Sequence, residues 1–164
     1  MREPSQLLTR ESPRQIIFED FKIDLPIKGG WGYDFDSACI IDKNDPTLSK
    51  GIPFDGVGIE YVFVEKRIYV EMIIFRDDHE KYAGIRWDRQ GQELLVEGGK
   101  TYDKLTFNIV GFSDQVWDEL TSCFEEIQRS GKAKLMAELD TYRESKVYRL
   151  TREFYFDITS FYGQ

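Results

Sequence analysis

The sequence contains little cysteine, and its pattern excludes the sites that cysteine most often builds. The 164 residues include two cysteines, Cys39 and Cys123, and neither belongs to a Cys-x-x-Cys pattern. Small secreted domains that depend on disulfides carry more cysteine than this. A structural zinc site needs clustered Cys and His ligands, which are also missing. We therefore expect two reduced thiols and no zinc.

Long apolar runs are absent as well. The run at residues 72–75 is typical of the longest, far short of the ~20 residues that a membrane-spanning helix needs. Residues 1–15 lack the apolar core of a secretory signal. These absences predict a cytoplasmic protein that has no membrane partner.

Positive charge is in the minority. Lys and Arg total 22, Asp and Glu total 30, and the net charge is −8. A protein that binds nucleic acid through its phosphates needs a positive surface, so we expect no nucleic-acid partner. Aromatic residues make up 15% of the chain, which is typical of a folded domain rather than a disordered segment. An acidic folded domain favours a basic protein as its partner.

The order of the residues predicts an N-terminal arm followed by one domain. Residues 1–15 are polar and contain two prolines, so they predict a flexible or surface-laid arm, and residues 16–164 form a single α+β domain. Alternation of apolar and polar residues predicts a strand over 15–25 and a hairpin over 57–75. Residues 37–42 predict a short strand, and 42–58 predict a long loop.

The second half of the chain mixes strands and helices. We expect strands at 82–87, 92–96 and 105–112, helices at 113–129 and 135–142, and a closing strand from 147. Ser113 is the predicted N-cap of the first helix, and Gly131 its end. The predicted fold is an antiparallel β-meander of about six to seven strands packed against two C-terminal amphipathic helices. Core packing is expected to account for the apolar face of the first helix.

Few residues offer catalytic or cofactor chemistry. His79 is the only histidine, and it lies in the acidic segment 77–80. Carboxylates beside an imidazole suit a divalent metal or an acid/base pair. However, side chains on a tight turn diverge, so a solvated turn is the expected structure. The glycines around residues 29–33 and 56–58 match neither of the two spacings of phosphate-binding loops, G-x-x-x-x-G-K-[ST] and G-x-G-x-x-G. We expect no metal, no cofactor and no catalytic residue.

The acidic loops are the predicted partner-binding surface. Calcium binding there is disfavoured, because a loop starting at Asp42 would need glycine and glutamate where Thr47 and Pro53 stand. Aromatic residues on loops are favoured anchors for a partner, and they are equally suited to cap the core. The predicted partner-binding residues are Trp31, Tyr33, Asp34, Asp36, Asp42, Asp45 and Asp55.

Three functions fit these features. The first is an acidic cytosolic binding protein that neutralises or recruits a basic protein partner, as toxin-inhibiting immunity proteins do. The second is an enzyme that uses carboxylates, with His79 or the acidic loop residues carrying protons. The third is a structural or assembly subunit that forms homo-oligomers. Charge and composition favour the first function.

Overall fold

The computed structural model describes residues 3–163, and a five-stranded mixed sheet forms its centre. The strands are β1 (Ile27–Gly29), β2 (Cys39–Ile41), β3 (Tyr82–Glu97), β4 (Lys100–Ser113) and β5 (Tyr148–Asp157). Their order across the sheet is β1-β2-β5-β4-β3. Only the pairing of β2 with β5 is parallel. The predicted α+β class is confirmed, whereas the antiparallel meander of six to seven strands is wrong in detail.

Four α-helices accompany the sheet within the described residues. They are α1 (Pro13–Phe21), α2 (Gly56–Tyr69), α3 (Asp114–Ser130) and α4 (Leu135–Lys146). A π-helical turn over Val70–Ile74 extends α2, and a 3-10 turn over Asp78–Glu80 precedes β3. The predicted ends of α3 are confirmed, because Ser113 caps its first turn and Gly131 ends it in a left-handed conformation.

The strand predicted over residues 15–25 is wrong, because this segment contains α1. The hydroxyl of Ser12 accepts a hydrogen bond from the first turn, and Pro13 occupies the first helical position. Both are signals for the start of a helix. Pro13, Ile16 and Ile17 are buried, at the spacing of one helix face. These local signals outweigh the imperfect alternation further along the segment.

The hairpin predicted over residues 57–75 is also wrong, because α2 and its π-helical extension span it. Asp55 caps the helix with its side chain. The buried positions recur every three or four residues, as in any helix packed on one side. Three of these buried residues are charged, namely Glu60, Arg67 and Glu71. Charges on the buried face interrupt the apolar pattern, so the remaining residues resemble two strands.

Helix α2 covers one face of the sheet and supplies much of the core. The rings of Phe63 and Phe156 lie 5.5 Å apart, and those of Tyr61 and Phe107 lie 6.1 Å apart, both edge to face. Such pairs add to the free energy gained from burial alone. The expectation that the sheet packs mainly against the two C-terminal helices is therefore corrected, since α2 takes this role.

Helices α3 and α4 form an antiparallel hairpin inserted between β4 and β5. Leu120 is the only buried residue among the described residues of α3, and α4 has none. Trp117 anchors α3 to the sheet by stacking on Phe112, with 5.6 Å between ring centroids. Core packing therefore does not account for the apolar face of α3, contrary to expectation. Much of that face remains open to solvent.

Within the described residues, the segment 3–12 has no helix or strand, and it lies against the domain. The backbone N–H of Leu7 donates to the hydroxyl of Tyr33 at 2.9 Å. The indole of Trp31 donates to the hydroxyl of Thr9 at 3.0 Å. The start of the predicted arm, residues 1 and 2, lies outside the described residues.

Candidate functional site

The two aromatic residues of the predicted partner surface are largely enclosed by the protein. Trp31 is only 4% exposed, and its ring lies 6.0 Å from that of Phe63. Tyr33 is half-buried and donates a hydrogen bond to Glu71. Burial raises the pKa of Tyr33 above its usual value. Trp31 therefore fits the alternative that it caps the core.

Three of the predicted acidic residues have defined structural partners. Asp45 is buried and accepts a hydrogen bond from Nη1 of Arg14 at 2.6 Å, which lowers its pKa. Asp42 forms a 3.0 Å ion pair with Lys28. Asp55 is exposed and caps α2. These contacts join the loop before α2 to α1, β1 and α2, and they neutralise part of its charge.

Asp34 and Asp36 are the remaining predicted residues, and both are exposed. Oδ1 of Asp34 accepts a 2.7 Å hydrogen bond from the backbone of Ser37, which closes a turn. Hydrogen bonds from Ser37 also lower the pKa of Asp34. Partner binding by the acidic loops stays a prediction. Its exposed carboxylates are Asp34 and Asp36, between β1 and β2, and Asp55, just before α2.

A buried arginine that the sequence analysis did not single out organises the centre of the molecule. Arg67 has no exposed side-chain surface, and its Nε donates to Oε1 of Glu71 at 2.9 Å. Its guanidinium lies 3.9 Å from the ring centroids of both Tyr33 and Phe154. Its Nη1 donates to three backbone carbonyls, those of Trp31, Gly32 and Glu153, at 3.0–3.3 Å. This arginine therefore joins α2, the loop after β1 and β5.

A second arginine extends this cluster to the N-terminal segment. Nε of Arg152 lies 3.5 Å from Oε2 of Glu71. The other guanidinium nitrogens of Arg152 donate to the carboxylate of Glu3 at 3.0 Å and to the carbonyl of Pro4 at 2.5 Å. These contacts join β5 and α2 to the N-terminal segment, although Nη2 of Arg67 and Nε of Arg152 are buried without a hydrogen-bond partner among the described residues.

A pair of buried carboxyl groups lies between α2 and β4. Glu60 and Asp103 are only 2% and 5% exposed. Burial, together with the hydrogen bond to Asp103, raises the pKa of Glu60 to about 9. Nε2 of Gln92 donates to both oxygens of Asp103, at 3.0 and 2.8 Å. A raised carboxyl pKa is typical of acid/base groups, but both side chains are buried in the core, away from any substrate in solvent.

The segment around His79 is more clustered than expected. The ligand atoms of Asp77, His79 and Glu80 lie within 4.8 Å of one another, which corrects the expectation that these side chains diverge. Asp77 and His79 are exposed, and Glu80 is half-buried. The three side chains therefore form a loose cluster at the surface.

An apolar cleft with a volume of about 400 Å³ lies between α3 and α4. Its aromatic residues are half-exposed, with 38% of Trp117 and 40% of Phe124 accessible to solvent. The lining residues are Trp117, Leu120, Thr121, Phe124, Met136, Leu139, Asp140 and Arg143. The floor of the cleft is thus apolar, and it lies on an element that contributes little to the core.

The rim of this cleft carries negative charge on the α3 side. Asp118 and Glu125 lie three and four residues from Thr121, so they share its side of the helix. Helix α3 contains five carboxylates and one arginine, a net charge of −4. On the α4 side, Arg143 lies 3.5 Å from Asp140, which balances its charge. The cleft therefore combines an apolar floor with an acidic rim.

Comparison with known proteins adds no further assignment to this geometry. No known protein family, no curated protein and no solved structure matches the chain. Between residues 3 and 163, no helix combines the length and the apolar character required to cross a bilayer.

Two features of the site were missed for different reasons. The buried charges of α2 follow helical spacing, since Glu60, Arg67 and Glu71 are separated by seven and four residues. That spacing was the available signal. For the α3–α4 cleft, the apolar stripe of α3 was visible in the sequence. Its exposure to solvent in the described residues could not be read from the sequence. Solvent exposure of an amphipathic face depends on the arrangement of distant elements.

Proposed function

We propose that the protein is an acidic protein-binding module whose α3–α4 cleft docks a basic amphipathic helix of a partner protein. The observation that carries this proposal is the pair of half-exposed aromatic side chains, Trp117 and Phe124, over an apolar floor. Docking an amphipathic helix in an apolar groove is a common mode of protein recognition.

The apolar floor supplies the driving force for binding. Burying apolar surface contributes roughly 25 cal/mol per Å² removed from water. Large aromatic residues are the usual anchors of interfaces, since they bury much area with few rotatable bonds. Trp117 is held by its stacking on Phe112, so little conformational entropy is lost when a partner covers it.

Because the rim of the cleft is acidic, a basic partner helix fits the cleft better than a second copy of the same chain does. Two copies meeting at this cleft would bring together two α3 helices that each carry a net charge of −4. A basic helix would instead pair its Lys and Arg residues with Asp118 and Glu125. Charge complementarity of this kind speeds association and excludes acidic partners. Neutralisation of a basic toxin is one biological form of this activity.

A model peptide tests the proposal directly. The probe is a synthetic amphipathic helix of about 18 residues built from Leu and Lys, with Leu at i, i+3, i+4 and i+7. The matched control peptide has every Lys replaced by Glu. We expect calorimetry to detect binding of the Lys peptide, weakened by added salt, and no binding of the Glu peptide.

Variants locate the binding on the cleft. Phe124→Ser removes an aromatic anchor, and the pair Asp118→Lys and Glu125→Lys reverses the rim. The charge-matched control is Glu11→Lys with Asp20→Lys, two exposed residues on other segments. We expect the first two variants to lose binding by at least about tenfold and the control to keep most of it. Absence of binding to the Lys peptide, or equal loss in the rim variant and the control, would overturn the proposal.

A further inference from the structure

One edge of the sheet is long and open, and it lies on a different surface from the cleft. The outermost strands are β1, with three residues, and β3, with sixteen. In an outer strand, every second backbone N–H and C=O faces away from the sheet and can pair with another strand. Proteins usually shorten, bend or cover such an edge.

Those protective devices are confined to the first half of β3. Its register with β4 is irregular between Ala83 and Arg86 and again between Arg89 and Gly91. Near the start of the strand, the indole of Trp117 lies directly over Gly84. From residue 92 onward the pairing with β4 is regular up to residue 97. The second half of the edge is therefore regular, and residues 92–94, 96 and 97 are exposed.

This second half also exposes apolar side chains. Leu94 is 52% exposed and Val96 is 73% exposed. They lie two residues apart, so they point to the same face of the sheet. Exposed apolar side chains on a regular edge strand are the features that promote pairing between strands.

The sequence of this segment is self-complementary in one register. A two-fold axis perpendicular to the sheet pairs an edge with its own copy, antiparallel, and leaves one residue facing itself. With Leu95 on the axis, Leu94 of each copy faces Val96 of the other, on one face of the sheet. With Leu94 on the axis, Val96 would face the polar Gln92. We propose that β3 pairs with β3 of a second copy, with Leu95 on the two-fold axis, so that two sheets join into one.

Charge in this register makes the dimer sensitive to salt. Glu93 of one copy faces Glu97 of the other. Within each chain Glu93 lies 3.9 Å from Nζ of Lys104, and Glu97 is paired with Lys100 in the β3–β4 register. The remaining repulsion, together with a net charge of −8 on each copy, is screened by salt. Added salt should strengthen this dimer, whereas it should weaken binding of a basic helix, so the two proposals are tested separately.

Sedimentation of the whole chain tests for the dimer. We expect a monomer–dimer equilibrium whose dissociation constant falls as salt is raised. Val96→Lys should raise the dissociation constant at least about tenfold, since it places a charge in the apolar pair. Leu8→Lys, at a 96% exposed position in the N-terminal segment, is the control and should leave the equilibrium unchanged. A chain that stays monomeric at high salt, or a dimer that Phe124→Ser abolishes and Val96→Lys does not, would overturn the proposal.

Engineered cysteines test the register. The background is Cys123→Ser, because Cys123 is exposed while Cys39 is buried. Directly opposed residues of antiparallel strands have Cα atoms about 4.5–5.5 Å apart, within reach of a disulfide. Under oxidised glutathione, Leu95→Cys should cross-link to its own copy. Glu93→Cys should cross-link only when Glu97→Cys is also present. Equal cross-linking of the single variants at 93 and 95 would contradict the register.

Discussion

Nε of Arg67 lies 2.9 Å from Oε1 of Glu71, one helical turn away, and neither side chain has more than 2% of its surface exposed. Moving such a pair out of water costs free energy that mutual attraction alone seldom recovers. Here the hydrogen bonds to the carbonyls of Trp31 and Glu153 add to the attraction. We infer that the pair fixes the position of α2 against the loop after β1 and against β5.

Removing one partner of this pair should strongly destabilise the fold. Arg67→Met leaves Glu71 buried without its main partner, and we expect the free energy of unfolding to fall by about 3–5 kcal/mol. The double variant Arg67→Met with Glu71→Leu should recover part of this loss, because no unpaired carboxylate remains. Urea unfolding measures both. A single variant that loses less than about 1 kcal/mol would show that the pair is not important for stability.

The hydroxyl of Tyr33 should hold the N-terminal segment against the domain. It accepts from the backbone of Leu7 and donates to Glu71. Tyr33→Phe removes both hydrogen bonds while keeping the ring against Arg67. We expect hydrogen exchange at the Leu7 amide to accelerate by about tenfold, the equivalent of one net hydrogen bond. Unchanged exchange at Leu7, measured beside an unaffected amide in β4, would contradict this role.

Stability should fall as the pH rises because of Glu60. The folded protein keeps the proton of Glu60 up to a pKa of about 9, whereas the ordinary value in an unfolded chain is 4.5. Between these values the native state binds more protons than the unfolded state. The contribution of Glu60 to the free energy of unfolding is therefore complete below pH 4.5 and is lost as the pH rises toward about 9. The free energy of unfolding then falls by at most about 1.4 kcal/mol per pH unit.

The variant Glu60→Gln should flatten this dependence, since an amide stays neutral and can donate to Asp103. Urea unfolding between about pH 5.5 and pH 8.5 measures the slope. Glu125→Gln, at an exposed position of α3, is the control and should keep the slope of the unchanged protein. Equal pH slopes of the free energy of unfolding in Glu60→Gln and in the unchanged protein would show that Glu60 is not the source of the pH dependence.

Local signals in the sequence were sufficient for some elements and not for others. Ser113 and Gly131 mark the ends of α3 because capping depends on neighbouring residues only. The buried charges of α2 obscured its helical period, since their partners come from β4, β5 and the loop after β1. The parallel pairing of Cys39 with Phe156 joins residues more than a hundred positions apart. No local pattern encodes such a contact, so the order of the strands in the sheet could not be predicted from the sequence.

The acidic turn around His79 should not hold a metal that stabilises the fold. Asp77, His79 and Glu80 are at least partly exposed, and gathering them around an ion would cost side-chain entropy. We expect the melting temperature to stay unchanged after dialysis against a chelator. His79→Ala should give the same melting temperature with and without the chelator. A fall of several degrees in the unchanged protein that is absent from His79→Ala would identify a metal site.

Nuclear magnetic resonance of the indole groups tests the central claim most directly. The chain has three tryptophans. Trp117 lines the α3–α4 cleft, Trp87 lies in β3, and Trp31 lies in the acidic loop between β1 and β2 that also carries Asp34 and Asp36. The indole N–H signals are assigned with single Trp→Phe variants, and the Leu–Lys peptide is then added. Docking in the cleft predicts that the Trp117 signal shifts while those of Trp31 and Trp87 stay in place. A shift of the Trp31 signal with a stationary Trp117 signal would move the binding surface to the acidic loop and contradict the account.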